Sequence, residues 1–168
     1  MKLLCVDPGL RGCGVAEFKG LDLTRAAYVK NPVEHGRGYA AHVSMGRAVA
    51  AWAGVERFAA VHIEHPRIYP GSAQQKGDLN DLLDVVAVGS AVATFFTPDA
   101  NLVTVFPSDW KGNVPKDMMT ERIRRALEDG ERGRIEKCPA SLMHNVLDAI
   151  GIGLWKMGRI NKKGIYRD

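Results

Sequence analysis

The sequence predicts an α/β domain built on a five-stranded mixed sheet, three antiparallel strands followed by parallel strands, with helices on its faces. Three observations predict it. The chain opens on a continuous apolar run, MKLLCV, suited to a strand buried on both faces. Two further strand-like stretches follow across short turns, which makes a meander. From residue 58 onward, β-branched runs alternate with helical patterns, the mark of parallel strands joined by crossover helices. At 168 residues the expectation is one domain spanning 1–168.

The first strand, residues 1–6, stops at Asp7-Pro8-Gly9, a turn-forming triplet. Gly12–Phe18 and Leu21–Val29 read as the second and third strands, joined at Lys19-Gly20. Between Gly38 and Gly54 apolar residues recur with approximate helical spacing and alanine is abundant, which predicts a helix packed on the sheet. Phe58–Glu64 (FAAVHIE) is a fourth strand ending on an acid, because Pro66 prevents simple continuation. A polar loop, Arg67–Lys76, leads to a long helix from about Asp78 to Phe96. Leu79, Leu82, Leu83 and Val86, with Gly89, Ser90 and Ala93, are its expected core face. Asn101–Phe106 is the fifth strand, and Pro107-Ser108-Asp109 opens a short helical turn carrying Trp110 and Lys111. A helix over Lys116–Glu128, a charged linker over Asp129–Lys137, and a last helix from about Ala140 to Gly158 with Ser141 as N-cap complete the chain.

With 46% hydrophobic and 25% charged residues, the composition excludes a large disordered region. The net charge of +4 favours phosphate-rich partners. Five of the thirteen residues from 156 to 168 are Lys or Arg, a basic tail that either meets nucleic acid or is simply solvated. Cys5, Cys13 and Cys138 are odd in number, lack CxxC spacing and two of them sit inside apolar runs, so they read as buried thiols in a reducing compartment. No signal-type leader and no apolar stretch of membrane-spanning length is evident, and a cytoplasmic location is expected.

Two-metal phosphodiester hydrolysis needs acids that converge from separate elements to hold two cations about 4 Å apart. Asp7 and Glu64 each end a strand, and if those strands are parallel neighbours their carboxylates emerge at one sheet edge. Asp148 lies among apolar residues in the last helix. His144 and Asn145 are four and three residues before it, on the same helical face. Either could complete the site, His144 as an imidazole ligand or proton carrier and Asn145 as a weak amide-oxygen ligand.

The element order is that of an RNase H-like fold, and the chain resembles the RuvC-type Holliday-junction resolvases, in particular their smaller phage and bacterial branch. The resemblance runs nearly the full length and rests on LLCVDPGLRGCGVAEF, VHIEHP, KGDLNDLLDVVAVGSA, VFPSDWKGNVPK and HNVLDAIGIGLW. It implies metal-binding carboxylates at Asp7, Glu64 and Asp148 serving two Mg²⁺ ions, with Mn²⁺ able to substitute. It also implies a fourth ligand one turn before Asp148; of His144 and Asn145, His144 is favoured. The implied activity is cleavage of four-way and other branched DNA by a homodimer, leaving 5′-phosphate ends. Lys111 and Lys116 then match basic positions beside the scissile phosphate. Tyr69 is the expected base-stacking residue, while Arg67, Lys76, Lys162 and Lys163 are expected backbone contacts.

Three rival readings remain. A YqgF-like RNA-processing nuclease shares the D-x-G-x-x-x-x-G opening. An ATP-binding protein of the sugar-kinase and actin type also begins with Asp-x-Gly but usually needs two related domains. A non-catalytic nucleic-acid-binding module could use the same fold.

Overall fold

The computed structural model describes residues 1–54, 57–67, 78–97 and 99–161. Strands β1 (Lys2–Asp7), β2 (Gly12–Lys19), β3 (Asp22–Lys30), β4 (Ala60–Glu64) and β5 (Asn101–Val105) form one sheet in the order β3-β2-β1-β4-β5. β1 sits at the centre, antiparallel to β2 and parallel to β4, and β4 is parallel to β5. The apolar opening run is therefore the middle strand, with a partner on either side and a helical layer on each face.

Successive side chains along a strand point to opposite faces, and the core divides accordingly. Leu4, Val6 and Val61 pack with Met45 and Val49 of α1 (Tyr39–Ala53) and with Val88 and Val92 of α2 (Leu79–Thr94). Leu3, Cys5 and Phe18 face the other layer. That layer contains α3 (Pro107–Trp110), α4 (Lys116–Ala126), a one-turn helix α5 (Asp129–Arg132) and α6 (Met143–Lys156). Cys5 and Cys13 are buried free thiols, and burial pushes the Cys13 thiol up to about 12.

The structure departs from the sequence expectation in three places. The charged linker is partly ordered against the sheet: Glu131, 3% exposed, accepts from the Leu23 amide at 2.7 Å and pairs with Arg159 at 2.7 Å. Ion pairing and amide donation let an acid be buried there. The last helix begins at Met143, with Leu142 as N-cap and no capping bond from Ser141; residues 139–145 enter it through tight turns instead. The expected core face of α2 is only half right, since its buried residues are Val88, Gly89 and Val92, while Leu79 and Leu83 are 52% and 62% exposed.

Candidate active site

Asp7 is the last residue of β1 and pairs across β2 with Gly14. On its other side β1 runs in register with β4 as far as Val6 and Ile63, so Asp7 and Glu64 are the next neighbours. Both acids point to the α6 side, following Cys5 and His62. β1 and β4 both end at these residues, so their carboxylates emerge at one edge of the sheet.

Asp148 reaches this edge from α6 because the helix start lies almost on the sheet. A Cβ on Gly14 would stand 1.9 Å from the Asn145 carbonyl oxygen, so only a glycine opposite Asp7 admits the helix so close. Lys111, at the C-cap of α3, extends its ammonium between two of the acids, 3.1 Å from Asp148 Oδ2 and 3.4 Å from Glu64 Oε1. Trp110, fully buried, donates its indole N–H to Glu64 Oε2 at 2.7 Å.

The electrostatics follow from this crowding. Burial, then the charges of Glu64 and Asp148, hold the Asp7 carboxyl well above the usual range. Burial also raises Glu64, and Asp148 adds to the effect against the opposing pull of Lys111 and the Trp110 bond. Desolvation works against the Lys111 charge, but Glu64, Asp148 and Asp7 outweigh it and push the ammonium up. Burial and the Lys116 charge lower His144, which favours a neutral imidazole.

Among the described residues, three carboxylates with the Lys111 ammonium between two of them and the Lys116 charge acting on the third form an oxygen-rich donor set, the chemistry that hard divalent cations such as Mg²⁺ or Mn²⁺ answer. Among the described residues no three acids, imidazoles or thiols are gathered in a metal-ready cluster. The Lys111 ammonium instead spans Glu64 and Asp148. The donors fit a cation in type, and Lys111 supplies the positive charge in this arrangement.

Of the other expected residues, Lys116 is exposed at the start of α4 and its charge is felt at Asp7 and His144. Arg67 is exposed with its guanidinium 5.3 Å over the Phe106 ring, at the entry to α3. Tyr69, Lys76, Lys162 and Lys163 lie outside the described residues. The parts that sequence reasoning missed are Trp110 as a donor to Glu64 and Gly14 as the seat of α6. A glycine inside an apolar strand, which signals close backbone approach, was the available clue for Gly14.

No family model and no curated protein matches the sequence. Solved structures do match. RuvC of Thermus thermophilus in complex with a Holliday junction substrate aligns with a TM-score of 0.64 and 18% identity, over 92% of this chain and 91% of that one. Another T. thermophilus RuvC structure gives 0.54 and 16%, over 92% of each chain. The fowlpox virus Holliday junction resolvase gives 0.52 and 13%, over 94% of this chain and 97% of that one. With its five-stranded mixed sheet and flanking helices, the chain has the RNase H-like fold of the RuvC-type resolvases.

Proposed function

We propose that this protein is a metal-dependent endonuclease that cuts four-way and other branched DNA, working at the Asp7, Glu64 and Asp148 cluster. The observation that carries the reading is the convergence of these three acids at one sheet edge, with the Lys111 ammonium spanning Glu64 and Asp148. The fold adds weight, because the T. thermophilus RuvC that shares it was captured with a Holliday junction substrate.

In this reading Asp7, Glu64 and Asp148 hold two Mg²⁺ ions, with Mn²⁺ as a substitute, and His144 is the favoured fourth ligand over Asn145. Bound there, the ions would supply an activated water and neutralise phosphate charge. The protein's own groups do the rest. Trp110 fixes the orientation of Glu64 through its indole bond. Lys111, drawn from the carboxylates toward the scissile phosphate, offsets charge that builds on its oxygens. His144, held toward the neutral imidazole by burial and the Lys116 charge, can ligate or accept a proton. Lys116 and Arg67 hold the backbone on either side, with Tyr69 as the base-stacking residue and Lys76, Lys162 and Lys163 as outer contacts.

The exposed Leu79 and Leu83, beside the half-buried Leu82 and Val86, form an apolar stripe at helical spacing along α2. A homodimer joined there would carry two such sites, suited to two incisions across a junction. Incubating the full chain with Mg²⁺ and synthetic four-way junctions, flaps and linear duplex tests the reading. Paired incisions in the junction with 5′-phosphate ends are expected; uncut junctions, or 3′-phosphate products, would contradict it.

A further inference from the structure

A second cationic feature lies on the same sheet edge, away from the carboxylates. Arg11, Lys30, Asn31, Glu34, His35 and Arg37 line a cleft of about 560 Å³. Arg11 follows the turn that begins at Asp7, Lys30 ends β3, and the remainder belong to the loop between β3 and α1. β3 and β1 are both antiparallel to β2, so Lys30 leaves the sheet at the edge where Asp7 ends.

The cleft is built on a fixed platform. Asn31, 2% exposed, donates from Nδ2 to the carbonyls of Leu10 at 3.0 Å and Ala41 at 3.3 Å, and its Oδ1 accepts from the Val33 amide at 3.0 Å. Its own amide donates to the Arg11 carbonyl at 2.9 Å. Gly36 has φ of 65°, and a Cβ there would stand 2.0 Å from the Leu10 carbonyl oxygen. Asn31 and Gly36 thus bind the loop to the turn that carries Arg11.

From this platform Arg11, Lys30, His35 and Arg37 are all exposed, with Glu34 as the one acid of the lining. Arg37 pairs with Asp81 of α2. Arg11 and Lys30 form no ion pair among the described residues. The Val33 and Gly36 amides are already bonded, so the cleft offers long cationic side chains around an open floor, the form of a backbone contact.

We propose that this cleft seats the phosphodiester backbone of DNA leading away from the carboxylate cluster, with Arg11 and Lys30 pairing phosphates. The proposal rests on the branched-DNA reading above. Sheet geometry sets the spacing. Asp7 faces Gly14 and Gly14 faces Tyr28, while Lys30 is two residues further along β3. That is about 10 Å across two strand spacings and about 7 Å along the strand, roughly 12 Å in all. A DNA strand advancing roughly 3.4 Å per nucleotide covers it in three to four steps.

The test is binding of a labelled four-way junction by the full chain, in chelator, over a series of salt concentrations. Arg11→Ala/Lys30→Ala is compared with wild type and with the charge-keeping Arg11→Lys/Lys30→Arg. The alanine pair should bind about tenfold more weakly, with a log–log salt slope smaller by about two, one for each lost phosphate contact. The charge-keeping pair should stay near wild type, and single-turnover cleavage at saturating protein should change less than about twofold. Unchanged affinity and slope in the alanine pair would overturn the proposal while leaving the nuclease reading intact. Failure of the wild type to bind any branched DNA would overturn both. A thermal shift with inorganic phosphate alone, lost in the alanine pair while junction binding is kept, would assign the cleft to a free anion and overturn it too.

Discussion

The indole nitrogen of Trp110 donates to Glu64 Oε2 at 2.7 Å, and the same ring packs so tightly on α6 that a Cβ on Gly151 would stand 2.3 Å from it. One buried side chain thus ties a strand-end acid to the helix that carries Asp148. Trp110→Phe keeps most of the packing and removes the donor. The variant should fold, with Tm lowered as its stability falls by about 1.5–3 kcal/mol for a lost bond to a charged acceptor. Junction cleavage should fall about tenfold as Glu64 loses its fixed orientation, since about 1.4 kcal/mol of lost positioning is a factor of ten. Circular dichroism and single-turnover cleavage measure the two effects, and unchanged cleavage would remove Trp110 from the positioning role.

Gly14→Ala should be costly, because the new methyl meets the main chain of Asn145 and must push the start of α6 away. Overpacking of this kind costs about 1–3 kcal/mol, and here it also separates Asp148 from Asp7. Gly130→Ala, where a Cβ meets nothing within 4 Å, is the control and should be neutral in both Tm and cleavage.

Much of this was legible in the sequence. An acid that ends an apolar run, as Asp7 and Glu64 do, marks where a strand leaves the sheet, and the meander followed by alternation pointed to a mixed sheet of three antiparallel strands and then parallel ones. The Trp110 to Glu64 bond was not legible, because it joins residues 46 apart whose meeting depends on how α3 caps β5. The pair of buried Glu131 and half-buried Arg159 escaped notice for the same reason: two charges in polar stretches read as solvated until tertiary packing brings them together. The α2 face failed differently. Periodicity shows which residues share a stripe but not whether the stripe meets the core or another molecule.

Asp7→Asn should stabilise the protein in chelator. The folded pKa of Asp7 is raised, so its favourable contribution exists below the unfolded value and is lost as pH rises through the folded one. Asparagine removes the desolvation and repulsion by Glu64 and Asp148 that the carboxylate meets as pH rises and it ionises. The Tm of the variant should exceed that of wild type by about 2–4 °C for each kcal/mol relieved, with the gap widening from mildly acidic to mildly alkaline pH. Burial holds His62 down at about 4, so its stabilising contribution is lost as pH falls from its unfolded value toward that figure. This loss affects both proteins alike and cancels in the difference. A gap that narrows with rising pH would contradict the assignment.

His144→Ala should weaken Mn²⁺ binding, followed by calorimetry, about tenfold or more, while Asn145→Ala changes it less than about twofold. The opposite ranking would make Asn145 the fourth ligand.

The most direct measurement is cleavage of a synthetic four-way junction by wild type and Asp7→Asn with Mg²⁺, both proteins first shown to be folded and to bind the junction. The account predicts paired incisions by the wild type and a loss of at least about a thousandfold in the variant, the scale of removing a group central to catalysis. Equal cleavage by the two proteins would contradict it.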